Sequence, residues 1–164
     1  MEIRSHYCIL VVMALEVGDF APSFEAMDQF EEMHDLEDYE GKWIVLYFYP
    51  EDDTSGCIKE ACSFRDNIGK VQDKAVLLGV SGDTVESHKK FSEKHNLNFP
   101  IMADPHHEII DAYGADGLAY PKRTTFLISP EGMIEKVYSG VDPETHVEDV
   151  IVDLAVLAES TESL

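Results

Sequence analysis

Seven consecutive residues, Trp43-Ile44-Val45-Leu46-Tyr47-Phe48-Tyr49, are all apolar or aromatic, and Pro50 closes the run. Aromatic and β-branched side chains favour extended backbone, and a short run without polar alternation fits a strand covered on both faces. Such a strand needs further layers above and below it, which confines the chain to an α/β arrangement. A second apolar run, Ala75–Ser81, repeats the theme, and residues 99–103 form a shorter one. Residues 123–129 and 133–138 flank Pro130-Glu131-Gly132 and predict a β-hairpin.

Helical periodicity fills the gaps. From Ser55 to about Ile68 the side chains of Ile58, Ala61, Cys62 and Ile68 recur on one side. The Asp83 to Glu86 spacing reads as a capping box opening a helix to about His95, and residues 105–113 form a short helix. Asp142-Pro143 supplies a cap and a first-turn proline for a closing helix faced by Val147, Val150, Ile151, Leu154, Leu157 and Ala158. Before the first strand, residues 17–24 read as an extended arm and residues 31–41 as an acidic stretch that ends in a turn, with residues 31–40 as a solvated loop. The order β-α-β-α-β-α-β-β-α predicts one α/β domain over residues 17–164, a mixed sheet with helices on both faces, preceded by an N-terminal extension over 1–16. Within that extension Arg4 and the apolar residues 9–15 imitate a signal peptide, but the run is short and lacks a small-residue cleavage site. A leader extension, or a true start at Met13, is the expectation, with a cytoplasmic location.

Charge narrows the partners. The 33 acidic residues outnumber 12 basic ones, a net of -21 that repels nucleic acid and anionic membrane, so neither is expected as a partner. No Lys or Arg occurs in residues 11–41 or after Lys136, so the basic residues concentrate mid-chain. Three cysteines do not make a disulfide scaffold at this length. Cys57 and Cys62, five apart, instead suit a reducing compartment and redox use, whereas Cys8 reads as incidental.

Cys57 opens the helix that follows the central strand, where free amide groups and the dipole favour negative sulfur. Thr54 places a hydroxyl nearby, and Pro50, lacking an N–H, ends the strand and can shield the sulfur from water. A fixed cation nearby would steady such a thiolate further, and an arginine cannot lose its charge. The element order resembles the thioredoxin fold. Pro50-x-x-x-Thr54-x-x-Cys57 resembles the active-site signature of peroxiredoxins, and Gly56-Cys57-x-x-Glu60-Ala61-Cys62-x-Phe64-Arg65-Asp66 resembles their bacterioferritin-comigratory, or Q-type, branch. The likeness runs from about Val17 to the closing helix.

That resemblance implies a thiol peroxidase for hydrogen peroxide and organic hydroperoxides, with Arg123 as the cation and Glu60 as the acceptor that holds it. It implies a Cys57 sulfenic acid resolved by Cys62, reduction by a thioredoxin- or glutaredoxin-like donor, a monomer or weak homodimer, and neither metal nor cofactor. Five residues of helix place the two Cα atoms roughly 8.7 Å apart, beyond the ~7 Å a disulfide tolerates, so the helix must unwind for the cysteines to bond. The chain departs from the branch pattern at Ser55, often proline, at Ile58, often threonine, and at Glu51, often basic.

Other readings stay open on the residues alone. Cys57 or Cys62 can be a buried core thiol, Arg123 a surface charge, and Arg65-Asp66 a helix-surface pair or an anchor for the active-site loop. His106-His107 beside Asp104, and His88 with His95, lack zinc spacing and read as solvated histidines. A thioredoxin-like disulfide reductase is the rival enzyme, disfavoured because the cysteines lack Cys-x-x-Cys spacing. A non-catalytic binding module is the other alternative.

Overall fold

The computed structural model describes residues 14–162. Arg4, Cys8 and residues 9–13, and the readings attached to them, lie outside those residues. The 43–49 run forms β3 (Trp43–Phe48), every residue of it buried. Its neighbours are β4 (Ala75–Ser81), parallel, and β6 (Thr124–Ile128), antiparallel. Outside these lie β5 (Ile101–Ala103), parallel to β4, and β7 (Ile134–Ser139), antiparallel to β6. The five-stranded order is therefore β5-β4-β3-β6-β7, the expected mixed sheet.

The strand period sorts the side chains of β3 into two cores. Trp43, Val45 and Tyr47 join a core with residues of α1 (Ser55–Asp66), α2 (Ile68–Gln72), α3 (Val85–His95) and α5 (His146–Glu162). Ile44, Leu46 and Phe48 face Ile109 and Ile110 of α4 (Glu108–Ala112), together with Phe24 and Ala26. Arm residues Gly18 and Ala21 bond the backbone of β7 and its preceding turn, as an extended arm does.

Local differences from the sequence reading have clear causes. The helix expected over 55–68 is two, because Asn67 interrupts it, its amide side chain returning to the carbonyl of Ser63. Thr84, not Asp83, caps α3, its hydroxyl accepting from Ser87 N at 3.2 Å. Asp142 caps the turn before α5, accepting from Glu144 N, and the helix begins at His146. Residues 31–40 are not a solvated loop. They contain β2 (Met33–Asp35), which pairs with β1 (Glu25–Met27), and buried His34 binds Asp28 at 2.7 Å and the Tyr39 hydroxyl. Among the described residues, no helix is long and apolar enough to cross a membrane.

Candidate active site

Strands β3 and β6 pair Phe48 with Thr124, so the residues just after β3 and just before β6 emerge at the same end of the sheet. Tyr49 and Pro50 leave from one strand and Arg123 enters the other. Thr54, with extended backbone (φ -86°, ψ 151°), then caps α1, and its carbonyl accepts from Ile58 N at 2.9 Å. Cys57 is thus a first-turn residue, 1% exposed, among amide groups that have no partner within the helix.

Arg123 crosses from the neighbouring strand to the same point. Its Nη2 lies 3.5 Å from Cys57 Sγ, and its Nη1 donates to Glu60 Oε1 at 3.2 Å. Burial works against the guanidinium charge, but Glu60 and the Cys57 sulfur outweigh it and hold the group more basic than a free arginine. Glu60 is fully buried, and desolvation pushes its carboxyl up to about 7 although Arg123 pulls the other way. Its Oε2 and the Tyr47 hydroxyl, both buried, have no hydrogen-bond partner among the described residues. Gly56 makes room for this arrangement: a Cβ there would lie 2.9 Å from Arg123 Nη2 and 3.4 Å from Pro143.

The other expected residues take differing positions. Pro50 is half-buried at the end of the strand run, as its missing N–H suggested. The Thr54 hydroxyl donates to the carbonyl of Glu51 at 3.0 Å, so its proton is committed to the loop rather than to sulfur in this conformation. Cys62 is half-buried and both cysteines are free thiols. The face of α1 turned to the core is Cys57, Glu60, Ala61 and Phe64, one step round from the Ile58–Cys62 stripe. A glutamate on the buried face disguised it. Arg65 pairs with Asp66 at 2.9 Å and reaches the carbonyl of His95.

His88 and His95 are not solvated, which corrects the sequence reading. His88 is wholly buried, its Nδ1 2.7 Å from Asp52 Oδ2 and its Nε2 3.1 Å from the carbonyl of Met102. Asp52 also accepts from Tyr49 Oη and Ser87 Oγ, and its N–H donates to Asp83. The next residue, Asp53, binds Lys94 Nζ at 2.7 Å and His95 Nε2 at 2.9 Å. No local spacing announces the contacts of Asp52 and Asp53 with residues 83–95, whose partners lie more than thirty residues apart. Asp104 turns its carboxylate to Glu108 N and Ile110 N at the start of α4, while its backbone carbonyl accepts from His107 N.

A buried thiol under a guanidinium at a helix N-terminus is equipped to carry negative charge and to stabilise a leaving oxygen. Residues 17–137 match the AhpC/TSA family. The chain is similar to Peroxiredoxin Bcp of Bacillus subtilis, 40% identical over 156 residues that cover 90% of this chain and 99% of that one. In three dimensions it resembles a cysteine-to-serine mutant of PrxQ from Xylella fastidiosa, at 29% identity and TM-score 0.85, covering 89% of this chain and 99% of that one. A Xanthomonas campestris bacterioferritin comigratory protein, studied for alkyl peroxide reduction, matches at 29% identity and TM-score 0.79 over 82% of this chain and 92% of the other.

Proposed function

The chain belongs to the AhpC/TSA family, in its Bcp/PrxQ peroxiredoxin branch, and from that premise we propose how its own residues perform thiol-dependent peroxide reduction. The Cys57 thiolate attacks one peroxide oxygen in line. An S–O bond forms, the O–O bond breaks, and the second oxygen departs as hydroxide or alkoxide and takes up a proton. The α1 amides and Arg123 stabilise the sulfur and the departing charge, Glu60 orients Arg123, and Pro50 and the Thr54-capped loop keep bulk water from the sulfur. The single observation that carries this reading is the 3.5 Å approach of Arg123 Nη2 to a buried first-turn cysteine.

Cys62 then resolves the sulfenic acid: its thiolate attacks Cys57 Sγ, an S–S bond replaces the S–O bond, and hydroxide leaves as water after protonation. A thioredoxin- or glutaredoxin-like dithiol returns both thiols. We take the unit to be residues 17–164, acting in the cytoplasm as a monomer or weak homodimer. Alkyl hydroperoxides are included as substrates because the Xanthomonas relative is described by that activity. The test is dithiol-dependent consumption of hydrogen peroxide and an alkyl hydroperoxide. Cys57→Ser should abolish it and Arg123→Ala should lower it by a factor of about 100 or more, the range for losing a charge-stabilising donor. Undiminished turnover in Cys57→Ser would refute the assignment.

A further inference from the structure

Both ends of α1 are tied to α3, and the tie at the leading end has an inner and an outer half of unequal strength. The inner half is Asp52, 5% exposed at its side chain, held by Tyr49, Ser87 and His88. The outer half is Asp53, 45% exposed, held by Lys94 and by His95, which are 61% and 16% exposed. At the trailing end Arg65 donates to the carbonyl of the same His95. Asp53 sits at φ 61°, in the left-handed region that few residues other than glycine, asparagine and aspartate adopt readily.

We propose that Asp53, with Lys94 and His95, is a latch on α1, and that its opening governs the step in which Cys62 displaces hydroxide from the Cys57 sulfenic acid. The inference rests on the peroxidase reading above and deepens it. An intact helix holds the two cysteines too far apart to bond, so residues between Asp52 and Arg65 must unwind. Breaking the Asp52 contacts would strand a buried carboxylate, whereas water and salt replace the exposed Asp53 contacts readily. The latch therefore opens first, and the inner tie and Arg65 confine unwinding to the segment that contains both cysteines. Asp53, Lys94 and His95 touch no reacting atom. They are positioning residues that act through the helix.

The test separates the two chemical steps by rapid mixing of the reduced protein with hydrogen peroxide, acid quench and mass analysis. Asparagine tolerates left-handed backbone, so Asp53→Asn removes the charge while sparing the fold. In Asp53→Asn and in Lys94→Gln, the disulfide step should run about threefold faster, the scale of an exposed ion pair, with sulfenate formation within about twofold of wild type. Raising potassium chloride from about 0.1 to about 1 M shortens the screening length from ~10 to ~3 Å, and should speed the disulfide step in wild type but not in Asp53→Asn. A disulfide rate indifferent to both salt and substitution would overturn the latch alone, and sulfenate that never yields the Cys57–Cys62 disulfide would overturn the latch together with the resolving role of Cys62 while leaving Cys57 as the attacking thiol. Wild-type protein that forms no Cys57 sulfenate would overturn the peroxidase reading and the latch with it.

Discussion

Cys57 stands where two sources of positive potential converge, the first-turn amides of α1 and the guanidinium of Arg123, and Gly56 is what lets the second arrive. Alanine is a better helix former than glycine, so Gly56→Ala should leave or slightly raise stability. Its Cβ would nevertheless meet Arg123 Nη2 at 2.9 Å, and displacing that group should slow sulfenate formation about tenfold or more. Stopped-flow kinetics beside a melting curve checks the pair, and unchanged kinetics would contradict the packing argument. Glu60 sets a pH dependence. Its folded-state pKa, raised by burial to about 7 from 4.5, means the folded chain keeps a proton that the unfolded chain loses between those values. Stability from this group therefore falls as pH rises through that window, by on the order of 3 kcal/mol. His146, lowered by burial to about 4, acts with the opposite sign: from 6.5 down to about 4 the unfolded chain binds the extra proton, so acidification destabilises. Denaturant titrations at pH 5 and pH 8 should show a difference between wild type and Glu60→Gln that grows in favour of the variant at high pH. An equal difference at both pH values would contradict it.

At the level of elements, α1 must be firm enough to hold Cys57 and loose enough to release it. Ser55 is its first residue, where a helix needs no N–H, and Thr54 before it already has the extended backbone that precedes proline. Ser55→Pro should raise stability by about 0.5–1 kcal/mol and slow disulfide formation, and a faster disulfide step would contradict the view that unwinding starts at this turn. The central elements were legible in the sequence because β3 and β4 are continuous apolar runs and α5 has a clean stripe. The β1–β2 hairpin was not, because its strands are three residues each, Met27 and Met33 point outward, and its inward histidine is satisfied by Asp28 and Tyr39. In the site, Cys57 and Glu60 followed from the motif and Arg123 from the family resemblance, and the structure brings the three together. The α3 histidines did not, since a buried histidine is defined by a distant partner such as Asp52 rather than by its neighbours in the chain.

For the whole molecule, the net charge of -21 opposes compaction. Potassium chloride should therefore raise the melting temperature, and a fall between about 0.05 and 0.5 M would contradict self-repulsion as the dominant long-range term. In the mechanism proposed above, the same fold passes through two conformations in each catalytic cycle, helix intact for attack on peroxide and helix opened for disulfide formation. One measurement reaches that claim most directly: reduced protein is mixed with one equivalent of hydrogen peroxide and the thiols are followed by mass over time. The expected result is rapid oxidation of Cys57, a Cys57–Cys62 disulfide in the wild type, and a persistent Cys57 sulfenic acid in Cys62→Ser. Oxidation at the slow rate of a free cysteine, or a disulfide that forms without Cys57, would contradict it.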